Sequence, residues 1–331
     1  MNDELSRIWN LYGTGGLGAA VRAGTVTPDG HLYLALLAFA EERYAEAAEL
    51  AAGAARAEPE ALLPRAAATY LARVAREGKR DVYVSAEGFG AFIRGGGNVP
   101  LYQATSAALA RNHPQTSFEL LDIGVGDGLA LLPSLTSRVE GVTLVEPAVP
   151  LLARTTEALA QKRIGFDAYA GSLQEFAAEP RSRSRRWDVA QATFSLQSLA
   201  PADRPAMLRW LRARCDVLLI AEFDPPCMDE PLKPETAAHV FARYREGLAE
   251  YVGADFETVA QGFLMPVMFG YADRSVARTN FEQPLAQWER LLREAGFEKV
   301  ERQLLYPYWW APAWLLVSSP ASPSGAQRVL E

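Results

Sequence analysis

The stretch Phe118-Glu-Leu-Leu-Asp-Ile-Gly-Val-Gly-Asp-Gly128 decides the fold. Its first half is apolar apart from Glu119 and Asp122, the pattern of a strand buried in a parallel sheet. Glycines 124, 126 and 128 break that run, and residues 129–135 resume it with a helical pattern. Strand, glycine turn and helix together build a nucleotide site at the carboxyl edge of an α/β sheet. The glycines let a ligand approach the backbone, and the helix N-terminus offers free N–H groups. The spacing narrows the ligand. A dinucleotide loop needs Gly-x-Gly-x-x-Gly, whereas the residue three after Gly126 is Leu129. Asp122 adds a carboxylate two residues before the first glycine. Such a charge repels a pyrophosphate and favours a ligand that carries an ammonium or a sulfonium.

Composition removes several classes. With 331 residues, 49% of them hydrophobic, the chain can bury one large core and an accessory segment. A net charge of -7 argues against a nucleic-acid partner. The basic run Arg181-Ser-Arg-Ser-Arg-Arg186 has no interleaved aromatics and is expected to be a solvated loop. Two cysteines and three scattered histidines offer neither a disulfide framework nor a zinc set, so no metal is expected. The absence of a signal peptide and of a long uncharged apolar span implies a cytoplasmic protein with no membrane partner.

Strands and helices alternate after the glycine loop, as an open α/β sheet requires. Residues 141–146 form a second strand ending in Glu146, 20 residues beyond Gly126. An acid at that distance accepts the hydrogen bonds of a ribose diol. Further strands are expected at 165–169, at 187–197 with its exit loop, and at 216–224, with a helix over 201–214. A long insertion, 225–283, leaves after the fifth strand; it is helical over 234–252 and rich in aromatics, which suits a lid or pocket. A helix over 284–295 stops at Gly296, two strands at 297–305 and 313–318 close the sheet, and 319–331 reads as a disordered tail. Glu222 and Asp224 end the fifth strand and are candidate catalytic bases, with His239 on the insertion as a third.

Residues 1–110 read as an N-terminal helical cap and lid. Residues 1–30, with glycines at 13, 15, 16 and 18, are expected to be a short helix and a loose connection. Helices follow at 31–40, 44–57 and 60–76; Leu32, Ala35, Leu36, Phe39 and Ala40 share one face, and Ala48 with Ala52 allows close packing. The glycine cluster between Arg94 and Tyr102 reads as a hinge or as a lid.

Asp122-Ile-Gly-Val-Gly-Asp-Gly128 resembles the first motif of class I S-adenosylmethionine (SAM)-dependent methyltransferases. The resemblance implies a Rossmann-like, seven-stranded, mostly parallel sheet over 111–318, SAM as cofactor and a small-molecule methyl acceptor. It places Asp122, Gly124, Gly126, Gly128 and Glu146 around that cofactor. The family often carries an acid for the adenine amino group where Ser172 stands, so the Ser172 hydroxyl and the Leu173 N–H take that role here. Phe194 lies in the exit loop that flanks the reactive methyl group in the family, with Ser195 or Gln197 toward the acceptor. A lid over the cofactor's amino-acid end would bring Arg94 or Tyr102 to its carboxylate.

The order of the blocks carries a closer resemblance. The helical cap, Phe194-Ser-Leu-Gln-Ser-Leu199, Val217-Leu-Leu-Ile-Ala-Glu222, Phe241-Ala-Arg-Tyr-Arg-Glu-Gly-Leu-Ala-Glu-Tyr251 and Arg278-Thr-Asn-Phe-Glu-Gln-Pro-Leu-Ala-Gln-Trp288 resemble the GRAS domain over about 31–318. This implies a member of its bacterial branch, acting in small-molecule specialised metabolism; the plant branch implies the rival, a non-catalytic ligand-sensing or interaction module. An NAD-dependent oxidoreductase fails on the glycine spacing. A homodimer is left open.

Overall fold

The computed structural model describes residues 2–79 and 86–320. Ahead of the first strand run α1 (Asn2–Arg22), α2 (Pro28–Ala40), α3 (Tyr44–Ala57), α4 (Leu62–Glu77), α5 (Ala86–Ile93) and α6 (Asn98–Asn112). Alternation begins with β1 (Phe118–Ile123), α7 (Leu131–Ser134), β2 (Val139–Val145), α8 (Val149–Gln161), β3 (Phe166–Tyr169) and α9 (Leu173–Ala178). It continues with β4 (Trp187–Thr193), α10 (Arg204–Arg212) and β5 (Cys215–Phe223). The insertion holds α11 (Pro234–Ala249), α12 (Ala254–Val259) and α13 (Met265–Gly270), and α14 (Leu285–Glu294), β6 (Lys299–Tyr306) and β7 (Ala313–Ser319) complete the chain. These elements divide into a helical unit, within 1–99 and 228–277, and a sheet unit, from 100–227 and from 278 onward.

In the helical unit, α1 is a long helix where a short one was expected. Two buried pairs, Leu5 with Ile8 and Leu17 with Ala20, hold its halves by apolar contact. The helical path breaks only at Gly16, whose φ is 69°. Helix α2 begins before His31 because Thr27 caps it: the Gly30 N–H donates to the Thr27 hydroxyl at 3.0 Å, and Pro28 supplies a φ already suited to a helix. All of Leu32 to Ala40 is buried, so α2 is surrounded rather than amphipathic. The alanines packed at 0% exposure on α3 are Ala47, Ala51 and Ala54, a neighbouring stripe to the expected Ala48 and Ala52. The glycine cluster before α6 is clasped by the insertion. The Gly97 N–H donates to Glu250 Oε2 at 2.9 Å, and a Cβ on Gly95 would lie 2.9 Å from the Tyr251 ring.

In the sheet unit the strand order is β3-β2-β1-β4-β5-β7-β6. The first five strands are parallel, and β7 enters antiparallel between β5 and β6. This is the expected α/β architecture, a seven-stranded, mostly parallel, Rossmann-like sheet flanked by helices. The pleat of β1 divides the core: Leu121 and Ile123 pack with Phe176, Leu208 and Trp288, while Phe118 and Leu120 pack with Leu109 and Leu152 on the other face. After the glycine loop the expected helix over 129–135 is only the single turn α7. Pro133 lacks the N–H that a longer helix would use. The donors at the cleft therefore come from the loop itself.

The basic run is solvated, as expected: Arg181, Arg183, Ser184 and Arg186 are exposed. Three of its cations pair at the surface with acids on β3 and β5: Arg181 and Arg185 with Asp167 at 3.1 and 2.8 Å, and Arg186 with Asp216 at 2.8 Å. Strand β7 reaches Ser319, and residues 321–331 of the expected disordered tail lie outside the described residues. Among the described residues no helix is long and apolar enough to cross a membrane.

One buried cation stitches the sheet unit near β4. Arg204, 1% exposed, donates from Nε to the Leu199 carbonyl at 3.1 Å and also bonds Gln283 and the Phe281 carbonyl. Its guanidinium lies 4.6 Å from the Trp288 ring centroid. Arg204→Met should lower the unfolding free energy by about 3 kcal/mol, because buried acceptors lose their donor. The exposed pair at Arg186 should lose less than about 1 kcal/mol on Arg186→Ala. Urea denaturation followed by tryptophan fluorescence measures both; equal losses would contradict the assignment of Arg204.

Candidate functional site

Three glycines shape the loop after β1, each for a different reason. At Gly124 (φ 69°) the N–H donates to the Val145 carbonyl at 2.7 Å. A Cβ there would lie 2.3 Å from Ser195 Cβ, so only glycine fits against the exit of β4. Ser195 closes the same contact by donating its hydroxyl to the Ile123 carbonyl at 2.6 Å. Gly128 (φ 80°) packs on Leu132 and Thr155. Gly126 (φ 57°) is different: a Cβ there would meet nothing within 4 Å, so this backbone faces open space.

Glu146 fixes that exposed backbone. It is 6% exposed, and its two oxygens accept the Gly126 N–H at 2.9 Å and the Ala148 N–H at 2.8 Å. A carboxylate has about four acceptor sites, so capacity remains for a diol. Asp122 lies one strand away in the buried sheet and accepts the Gln191 side-chain amide at 2.6 Å. Burial pushes its carboxyl up to about 7; the Gln191 hydrogen bond acts against the shift and Glu146 adds to it.

A cleft of about 170 Å³ opens beside this loop, lined by Gly124, Val145, Pro147, Ser172, Leu173 and Leu196 among others. It sits at the carboxyl ends of the parallel strands, where open α/β sheets bind ligands. A larger hollow of about 410 Å³ lies at the amino end of β2, near Thr136, Lys162 and Arg163, and holds none of the candidate residues. Ser172 is engaged by a capping box: its hydroxyl accepts the Glu175 N–H at 3.2 Å and lies 2.8 Å from Glu175 Oε2. Leu173 is buried at 4% and forms part of the cleft wall.

At the exit of β4, Phe194 adopts φ 52°, a left-handed conformation that is uncommon for a non-glycine residue. Its N–H donates to the Ala221 carbonyl at 2.8 Å. Its ring stacks on Phe223 at 4.5 Å, Phe223 stacks on Tyr308 at 5.2 Å, and Tyr102 meets Phe194 edge-on at 6.1 Å. Burial holds the Tyr102 hydroxyl above its ordinary range, so it is a neutral donor. Glu222, 2% exposed, accepts the Gln197 N–H at 3.2 Å, and burial pushes its carboxyl up to about 8. Asp224 accepts the Leu285 N–H at 2.8 Å and so caps α14.

The sheet unit thus brings Asp122, Gly124, Gly126, Gly128, Glu146, Ser172, Leu173 and Phe194 to one edge, with Glu222 bound to the adjoining loop. Arg94 and His239 belong to the helical unit. Arg94 is exposed and donates to the Gly90 carbonyl at 3.4 Å. His239 is half-buried on α11, and burial with Arg243 nearby lowers its pKa. Sequence reasoning missed Pro147, which follows Glu146, and Gln191. The signal for Gln191 was present: it is a polar residue inside the apolar run of β4. Among the described residues no cluster of three or more His, Cys, Asp or Glu is placed to hold a metal ion.

No family model matches the chain, and no curated protein matches it. Solved structures do. One is a magnesium protoporphyrin IX methyltransferase from Synechocystis with bound SAH, 14% identical over 72% of this chain and 96% of that one, TM-score 0.46. Another is a cyclopropane synthase from Mycobacterium tuberculosis, 12% identical over 69% of this chain and 76% of that one, TM-score 0.45. A third is a putative O-methyltransferase from Nostoc punctiforme, 14% identical over 78% of this chain and 69% of that one, TM-score 0.43. The fold stated above rests on the chain's own strand order and register.

Proposed function

We propose that this chain is a cytoplasmic SAM-dependent methyltransferase acting on a small molecule, of the bacterial GRAS-like branch and serving specialised metabolism. The observation that carries the reading is the open face of Gly126, whose N–H is held by the buried Glu146 beside the carboxyl-edge cleft. The residues present fit the cofactor. Glu146 would accept the ribose hydroxyls, Asp122 would face the cationic amino-acid end, and Ser172 with the Leu173 N–H would meet the adenine. Gly124 and Gly128 keep the loop in the shape that leaves Gly126 bare. When bound, SAM supplies a methyl group on a positively charged sulfur.

The remaining residues align the acceptor and manage its proton. The stack of Phe194 and Phe223 is a rigid wall against which an acceptor can be held, which removes translational freedom before reaction. Glu222 is mostly protonated at neutral pH and becomes a base as pH rises through about 8. A second reading is the non-catalytic ligand-sensing or interaction module. It is favoured by the hydrogen bonds of Glu222 and Asp224 to backbone N–H groups, which give both acids a structural use. Transfer of label from methyl-labelled SAM to a metabolite extract separates the two readings.

Calorimetry should detect S-adenosylhomocysteine (SAH), the demethylated cofactor, and not NAD. Gly126→Val should abolish SAH binding by filling the open face; saturable NAD binding with no response to SAH would refute the cofactor. Glu146→Ala should weaken SAH by about 1–3 kcal/mol, the range for buried partners left unpaired. An unchanged titration would show that Glu146 only ties the loop. For Glu222, single-turnover methyl transfer should rise with pH and level off above about 8. Glu222→Gln should flatten that profile and cost a factor of ~10²–10⁴ with SAH affinity kept. A variant that keeps the parent profile would exclude Glu222 as the base.

A further inference from the structure

A polar chain crosses the buried interior of the sheet unit. Gln191 is 0% exposed in the middle of β4 and is the register partner of Asp122. Its amide nitrogen donates to Asp122 Oδ2 at 2.6 Å, and its carbonyl oxygen lies 3.0 Å from Nε2 of His113, itself 3% exposed. Donor logic orients the whole chain. An ionised carboxylate only accepts, so it fixes the amide nitrogen toward Asp122. The amide oxygen must then receive a proton from His113 Nε2, which leaves Nδ1 as a bare acceptor. Nδ1 is indeed buried with no partner.

The reverse orientation is disfavoured. A protonated Asp122 donating to the amide oxygen would turn the amide nitrogen toward His113 and move the ring proton to Nδ1. That proton would be a buried donor with no acceptor, a costlier defect than an idle lone pair. Protonating the ring at both nitrogens leaves the same orphan. Burial, with Arg138 nearby, also lowers the His113 pKa against the opposing effect of the Gln191 hydrogen bond.

We infer that Gln191 and His113 are a positioning pair that holds one oxygen of Asp122 in its ionised form and leaves the other for a cationic ammonium group of the ligand. The inference rests on the SAM reading and deepens it. Among the described residues the hydrogen bond to the Asp122 carboxyl, from Gln191, goes to Oδ2 and leaves Oδ1 without one. The charged and titratable groups around Asp122 and its chain are Glu146 at the end of β2, His113 after α6, and Arg138 ahead of β2; Asp127 in the loop interacts with Tyr102 on α6.

The consequence is linkage to pH. Without ligand, burial keeps the Asp122 carboxyl at about 7; an ammonium beside it favours the ionised form, so binding expels a proton below that pH. SAH affinity should therefore be full above pH 7 and fall by up to about tenfold per pH unit below it. Gln191→Leu removes the amide donor and should move that fall to higher pH, with SAH about tenfold weaker at pH 7 and within about threefold of the parent at pH 8.5. Adenosine, which lacks the amino-acid end, should bind parent and variant alike across this range. If SAH and adenosine both bind but the SAH profile of Gln191→Leu overlays the parent's, the pair does no positioning. If neither binds the parent, the cofactor reading fails and takes this inference with it. Should the variant not fold, the parent decides alone. Calorimetry at pH 6 in buffers of different ionisation enthalpy should show most of one proton released on binding SAH, and no release would overturn the inference.

Discussion

The hydrogen bond from the Gly126 N–H to Glu146 is the contact on which the cleft depends. It joins the exit of β1 to the exit of β2, beside the Gly124 N–H to Val145 carbonyl bond that links the same two parallel strands. The Gly126 carbonyl is fixed at the same time by the Thr155 hydroxyl on α8, at 2.8 Å. With both peptide groups held, Gly126 stays in its left-handed conformation and presents bare backbone to open space. Gly124 and Gly128 then have no freedom left: one abuts Ser195, the other Leu132 and Thr155.

Three buried carboxyl groups lie along the strand ends, and their partners separate their behaviour. Glu146 has two backbone donors. Asp122 has one amide donor and is pushed up by burial, and Glu222 is pushed up by burial against hydrogen bonds from the Gln197 and Leu196 backbone. Burial disfavours a charge, and each donor recovers part of that cost. On one sheet edge burial therefore raises the carboxyls of both Asp122 and Glu222 above their ordinary range. Arg204, within electrostatic reach of Glu222, anchors the loop that carries the Gln197 donor.

Much of the sheet was legible because its signals are local. The apolar run of β1 ends at a glycine turn, and β2 ends in an acid at a fixed distance; both depend on chain-neighbour chemistry alone. Helix α1 was not legible, since glycines at 13, 15, 16 and 18 lower helix propensity and only packing of Leu5, Ile8, Leu17 and Ala20 restores it. The partners of the exposed arginine run were not legible for a similar reason. Asp167 and Asp216 come from strands that are distant in sequence.

By itself the sequence determined the order of strands and helices, the glycine spacing that excludes a dinucleotide loop, and the pairing of Asp122 with Glu146 as acids of one sheet edge. Those follow from backbone geometry and side-chain period, which act over a few residues. The tertiary structure decided which acids keep free acceptor sites and which are spent on N–H groups. It also decided that Ser172 caps a helix and that Gln191 and His113 reach Asp122 across the core. Hydrogen-bond partners in a buried interior are chosen by the register of distant strands, and no local pattern encodes them.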